Sequence, residues 1–380
     1  MLLGNVTVTH PPPDRSYVDE WPVSPQASAP ARMTQNTTPI TISAARRSPD
    51  VSGSLGGVLP LLTVGDSFAR PRSDHNICIF PTQRRPHHRN RKESNSLNAR
   101  AKVLITAAEL SDLLRGGDPA TVLDVRWRLD QPDGHATYLK GHIPGAVYVS
   151  LEDELSDHTI TGRGRHPLPS GRSVEESARR WGVREGVPTV VYDDWNRAGS
   201  ARAWWVLTAA GVTDVRILDG GWSAWRSAGG SLATGPVTPP PGNARALHDD
   251  LYAGALPTLT AQQAGAADVT LLDARAPERF RGDVEPVDPV AGHIPGARNL
   301  PSSDVLAGDG TFVAAGELSR LLSDHGIAPD GHVGAYCGSG VTATITVAAL
   351  TTMGYAPALF PGSWSEWSSD PSRPVARGSE

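Results

Sequence analysis

The sequence predicts an α/β fold built twice, each copy a parallel sheet covered by helices on both faces. Three observations carry this. From about residue 101 onward, short apolar runs of strand length alternate with helix-compatible runs, the pattern of parallel strands joined by helical crossovers. Landmarks then return in the same order about 150 residues apart, which marks duplication of a domain-sized unit. Between the copies, Ser231 to Asn243 is rich in Pro, Gly and Thr and contains Pro239-Pro240-Pro241, the composition of a semi-rigid linker. The expected organisation is an N-terminal extension over 1–100, a first domain over 101–230, a linker over 231–246 and a second domain over 247–376.

Residues 1–100 hold no sustained helical or strand period, carry Pro11-Pro12-Pro13, and are expected to be disordered. Their basic patch, Arg84 to Lys92, reads as a solvated tail rather than a nucleic-acid site. Arg46-Arg47 ahead of Leu59-Pro60-Leu61-Leu62 is too short and too interrupted for an export signal. In the first copy, Thr106 to Leu114 predicts a helix with Thr106 as N-cap. Val122 to Val125 follows as a buried strand. Gly141-His142-Ile143-Pro144-Gly145-Ala146 forms a turn into the strand Val147 to Val149. Val174 to Trp181 is helical, Thr189 to Tyr192 a strand, Ala201 to Ala210 a helix and Val215 to Leu218 a strand. Gly220-Gly221-Trp222-Ser223-Ala224-Trp225 opens another helix. In the second copy, Leu271-Leu272-Asp273 answers the first Leu-Asp strand, and Gly292 to Ala297 repeats the hexapeptide letter for letter. Gly362-Ser363-Trp364-Ser365-Glu366-Trp367 answers the tryptophan segment. What both copies share reads as scaffold, including His142, His293 and the paired tryptophans.

Composition narrows the function. A net charge of −5 over 380 residues gives no electrostatic case for nucleic acid or a membrane surface. Two cysteines, Cys78 and Cys337, make no disulfide framework, and no Cys/His cluster has zinc spacing. No cofactor is implied, and the thiol points to a reducing, cytoplasmic setting.

The copies differ where it matters. The first has Tyr192-Asp193; the second has Tyr336-Cys337, followed by Gly338-Ser339-Gly340-Val341-Thr342 and a helix-compatible run from Val341 to Met353. A thiol after a buried strand, at the mouth of a Gly-rich loop leading into a helix, meets backbone N–H groups that favour the thiolate. That is a geometry for presenting a nucleophile. A cysteine phosphatase would need an arginine at the sixth loop position to clamp phosphoryl oxygens. Here that position is Ala343 and no loop residue is cationic, so a dianion would find only backbone donors.

Taken together, the Gly-His-Ile-Pro-Gly turns, the Gly-x-Trp-x-x-Trp endings and Cys-Gly-Ser-Gly-Val-Thr resemble the tandem-rhodanese sulfurtransferases over about residues 101 to 375. The resemblance implies two rhodanese-like domains, the first inactive, with a site in the cleft between them. It implies a persulfide on Cys337, with the N–H groups of Gly338, Gly340, Val341 and Thr342 holding its terminal sulfur. The loop lacks the cationic side chains of the thiosulfate branch, and so is similar to the 3-mercaptopyruvate branch. There, Ser339, His166 and Glu152 would form a proton relay (Asp153, one residue on, is the alternative to Glu152), and Arg279 would bind the donor carboxylate. A second arginine found in some of those enzymes would fall near Asp288, where this chain has none. The implied partners are a small sulfur donor and an acceptor such as cyanide, a thiol or reduced thioredoxin. The competing readings are a thiosulfate:cyanide sulfurtransferase and, in another class, a non-catalytic binding or redox-sensing module. The last would need a resolving cysteine, and Cys78 in the tail is a poor one.

Overall fold

The computed structural model describes residues 98–117, 119–328 and 331–379. The expectations for the N-terminal extension, including Cys78 and the basic patch, lie outside the described residues. Regular structure opens with a helical segment at 98–103.

The first copy contains β1 (Leu104–Ile105), β2 (Thr121–Asp124), β3 (Val147–Tyr148), β4 (Thr189–Tyr192) and β5 (Val215–Leu218). They form one parallel sheet in the order β1-β5-β4-β2-β3. The second copy contains β6 (Thr270–Asp273), β7 (Arg298–Asn299), β8 (Val333–Tyr336) and β9 (Ala358–Leu359), parallel in the order β7-β6-β8-β9. The central strands β4 and β8 are buried along their whole length, which explains their unbroken apolar reading. Each delivers the chain to the loop that distinguishes its copy.

The helices start where side chains can satisfy free backbone N–H groups. Thr106 and Glu109 form a reciprocal capping box for Ala107–Gly116, and Thr260 with Gln263 does the same for Ala261–Ala264. Ser150 and Ser170 cap Leu151–Glu154 and Gly171–Arg180. Two helices are buried nearly all round, Ala198–Ala209 and Ala343–Thr352. They pack against each other between the sheets. Their Ala, Gly, Ser and Thr content lets them approach, and a helix without a polar face belongs in such a place.

The shared landmarks are structural in both copies. Asp124 pairs with Arg126, which donates to the carbonyl of Gly141; Asp273 pairs with Arg275, which donates to the carbonyl of Gly292. His142 and His293 are buried, each with Nδ1 on a backbone carbonyl, of Tyr138 at 3.0 Å and of Phe280 at 2.8 Å. Trp225 and Trp367 donate to the carbonyls of Ser231 and Pro374. The interdomain stretch is strapped to the first copy: Ala233 pairs with His142, and Gly242 and Ala244 donate to the carbonyls of Arg179 and Val183. Ala376 pairs with His293 in the same way at the end of the second copy.

Candidate active site

β8 ends at Tyr336, and the next residue, Cys337, is 1% exposed. The base of its loop is fastened to the helix Ser363–Trp367. Cys337 N–H donates to Ser363 Oγ at 3.1 Å, while Trp364 and Ser365 N–H donate to the carbonyls of Cys337 and Gly338 at 3.0 and 2.9 Å. The tryptophan segment, expected to be scaffold, therefore buttresses the site as well as the fold, through Ser363 and Ser365, which carried no expectation of their own. Gly340 has φ +77°, and a Cβ there would sit 2.2 Å from the Pro361 carbonyl oxygen. Only glycine fits.

With this geometry, the N–H groups of Gly338, Ser339, Gly340, Val341 and Thr342 donate to no acceptor among the described residues. The first copy displays the same kind of loop filled. Asp193, following β4, turns its carboxylate back to accept from the N–H groups of Trp195, Arg197 and Ser200 at 3.0, 3.2 and 3.0 Å. Arg197 adds an ion pair at 3.0 Å. A strand-to-helix loop of this shape gathers N–H groups around an anion; in the second copy the corresponding groups follow a thiol and have no acceptor among the described residues.

The first copy reaches that loop at Ser339 and at Gly340. His166 Nδ1 lies 2.8 Å from Ser339 Oγ, and its Nε2 lies 3.1 Å from Glu152 Oε1. Trp127 Nε1 donates to the same oxygen at 2.6 Å, and His158 Nε2 meets Oε2 at 2.9 Å. Of the two acidic neighbours, Glu152 faces His166, whereas Asp153 accepts from the capping Ser150 hydroxyl. A carboxylate only accepts, so Nε2 carries the proton and Nδ1 accepts from the Ser339 hydroxyl. Burial holds the His166 imidazole below its ordinary range, against the upward pull of Glu152 and with Arg202 and His158 adding to the depression. Partial burial would raise the Glu152 carboxyl, but hydrogen bonds from His166 and Trp127, with the charge both histidines gain in acid, outweigh it and hold it at about 2. The unit is thus a neutral imidazole oriented by an ionised carboxylate.

Arg279, on the helix Pro277–Arg281, bonds Glu285 at 2.6 Å and Asp288 at 3.5 Å. Its Nη1 and Nη2 lie 3.6 and 3.7 Å from where a Gly338 Cβ would be. Arg281 points elsewhere and pairs with Asp283 at the surface. Arg165 was not foreseen: its Nη2 is 3.0 Å from that same point at Gly338, and its Nη1 pairs with Asp288. The expectation that an anion would find only backbone donors is therefore corrected. The loop has no cation of its own, but two guanidiniums reach it from other elements. The available signal was adjacency, since Arg165 immediately precedes His166. Arg202, also unforeseen, is fully buried and donates to the carbonyls of Leu155, His166 and Gly340 at 3.0 to 3.2 Å. Burial lowers it to about 10, against the attraction of Tyr252, Cys337 and Glu152, so it stays cationic at neutral pH.

A model of the rhodanese-like domain matches residues 106–228 and 256–370. The chain belongs to the rhodanese family. With two matched copies it is a tandem-domain member, an enzyme of the sulfurtransferase class. It is 72% identical over 282 residues to the Mycobacterium tuberculosis protein named "Putative thiosulfate sulfurtransferase SseB", covering 74% of this chain and 99% of that one. It is 36% identical over 242 residues to 3-mercaptopyruvate sulfurtransferase of Escherichia coli, covering 63% and 84%. Among solved structures, 3-mercaptopyruvate sulfurtransferase from Leishmania major aligns with TM-score 0.62 and 29% identity, over 71% of this chain and 75% of that one. No helix among the described residues is long and apolar enough to cross a membrane.

Proposed function

We propose that this sulfurtransferase takes its sulfur from 3-mercaptopyruvate and carries it as a persulfide on Cys337 to a thiophilic acceptor. The observation that carries the donor choice is the Glu152–His166–Ser339 chain, which ends in the cysteine loop two residues after Cys337. Thiosulfate releases sulfite without needing a proton, whereas mercaptopyruvate must lose one from sulfur and gain one on carbon. In the first step the Cys337 thiolate forms an S–S bond to the donor sulfur while the donor C–S bond breaks toward carbon. Ser339 and the neutral His166 take the thiol proton and return it to the enolate, giving pyruvate and the persulfide anion. The open N–H groups of Gly338 to Thr342 receive that charge, and Arg279 holds the donor carboxylate. In the second step the acceptor, cyanide or a thiol, attacks the terminal sulfur and regenerates the Cys337 thiolate. The first copy, with Asp193 where the nucleophile would be, contributes side chains and no sulfur chemistry. A free thiol as nucleophile suits a reducing compartment such as the cytoplasm.

The test is kcat/KM for both donors on the purified protein. Cys337→Ser should abolish turnover of each, and Ser339→Ala should lower mercaptopyruvate turnover by about 10²-fold or more while leaving thiosulfate nearly unchanged. A wild-type preference for thiosulfate, or equal losses in Ser339→Ala, would replace the donor assignment with the thiosulfate reading. Turnover of neither donor would favour a non-catalytic module.

A further inference from the structure

We propose that Arg165 of the first copy and Arg279 of the second form one clamp for the donor's carboxylate, and that Asp288 occupies the clamp until the donor displaces it. This rests on the reading of 3-mercaptopyruvate as the donor to Cys337, because thiosulfate carries no carboxylate for the clamp to hold. Both guanidiniums lie within 4 Å of the position a Gly338 side chain would take. Asp288 bridges them with one oxygen on each, Oδ1 on Arg165 and Oδ2 on Arg279. One carboxylate spanning two guanidiniums is the arrangement an α-keto acid would adopt in the same place.

Three further observations support the exchange. The Asp288 side chain is only 3% exposed, and burial pushes its carboxyl up, with Arg165 and Arg279 opposing and Glu285 adding to the rise. Release of Asp288 to solvent would recover that desolvation cost, offsetting the cost of burying the donor carboxylate in its place. The Arg165 Nε atom is buried without a hydrogen-bond partner, so the guanidinium has donor capacity that Asp288 leaves unused. Finally, local charge is already balanced: Arg165, Arg275 and Arg279 face Asp273, Glu285 and Asp288. A monoanionic carboxylate that expels Asp288 keeps the balance, whereas a dianion overshoots it. Of the six, Asp288 is the replaceable member. Glu285 is shared between Arg275 and Arg279 and accepts the N–H groups of Val287 and Asp288.

The experiment needs no turnover. Cys337 is alkylated with iodoacetate and with the neutral isostere iodoacetamide, and the ratio of the two rates reports how well the clamp attracts a carboxylate. Asp288→Asn should raise the iodoacetate:iodoacetamide ratio roughly fivefold, the worth of one partly exposed ion pair, and Arg165→Gln should lower it by a similar factor. Calorimetric titration with pyruvate gives a second readout, tighter in Asp288→Asn and weaker in Arg165→Gln; it decides the matter if the thiol proves inert to both reagents or if one variant fails to fold. An unchanged or lower ratio in Asp288→Asn, with unchanged or weaker pyruvate binding, would overturn the proposal and leave Asp288 as a structural tie. If the ratios move as expected while neither sulfur donor turns over, the clamp stands and the sulfurtransfer reading falls.

Discussion

Gly340→Ala would test whether the loop's shape, rather than its composition alone, sets up the thiol. At φ +77° an alanine takes on strain of about 1–2 kcal/mol. Its Cβ would lie 2.2 Å from the Pro361 carbonyl oxygen, so the two must separate by at least about 1 Å to reach ordinary contact. That oxygen belongs to backbone next to the helix Ser363–Trp367, which also holds Cys337, and overpacking against such a wall costs about 1–3 kcal/mol. Together these predict about 2–5 kcal/mol of destabilisation. A shift of about 1 Å in the loop would lower kcat about 10²-fold. Gly338→Ala is the control in the same loop. Its φ is not positive, and its nearest neighbours are the flexible ends of Arg165 and Arg279 at 3.0 to 3.7 Å. It should fold with near-normal stability and raise the donor KM while sparing kcat. The assays are chemical denaturation and steady-state kinetics on both variants. Wild-type stability and turnover in Gly340→Ala, or equal defects in the two variants, would refute the reasoning.

Two other predictions concern the groups supplied by the first copy. His166 is depressed below its ordinary 6.5 and must be neutral to accept a proton, so kcat/KM for mercaptopyruvate should fall on the acid side with a midpoint below pH 6.5. Glu152→Gln removes an upward pull and should move that limb lower still; an upward move would contradict the assignment. The same depressions fix the sign for stability: the contribution of Glu152 is complete above its ordinary 4.5 and disappears as pH falls through about 2, and that of His166 is likewise lost on the acid side of 6.5. Arg202→Met strips donors from three buried carbonyls at about 1–3 kcal/mol each, partly offset by removing a desolvated charge. Its thermal midpoint and its kcat should both drop, and an unchanged pair of values would show that Arg202 holds nothing in place.

Much of the fold was legible because its elements announce themselves locally. β4 and β5 match the sequence expectation residue for residue, and the Thr106 cap was readable from its own box. Helix starts were less so: Ala198–Ala209 and Gly171–Arg180 each begin three residues ahead of the expected position. In the first a Gly-Ser pair without apolar signal is buried inside its own copy, Gly199 against the Val125 carbonyl and Ser200 on the Asp193 carboxylate; in the second the Ser170 cap lies before residues with no apolar period. Cys337 and its loop were legible because strand, glycines and helix are contiguous. Arg165, Arg202, Ser363 and Ser365 were not, because each acts across a separation of tens to hundreds of residues, through contacts that no local period encodes. Asp288 illustrates the limit well. The sequence presented it as a missing arginine, while the structure places it between two arginines that arrive from different copies.

Arg202 ties the two copies together at the cysteine loop. Its guanidinium, rooted in a helix of the first copy, is bonded at once to the segment after Glu152, to His166 and to the cysteine loop. The molecule is in effect a dimer fused into one chain, and its two-fold equivalence has been broken by chemistry. One half holds Cys337; the other holds Asp193 at the matching position and supplies His166 and Arg202 to the cysteine loop. Neither half is a spare, and substitutions in the thiol-free half should be felt as sharply as those around Cys337.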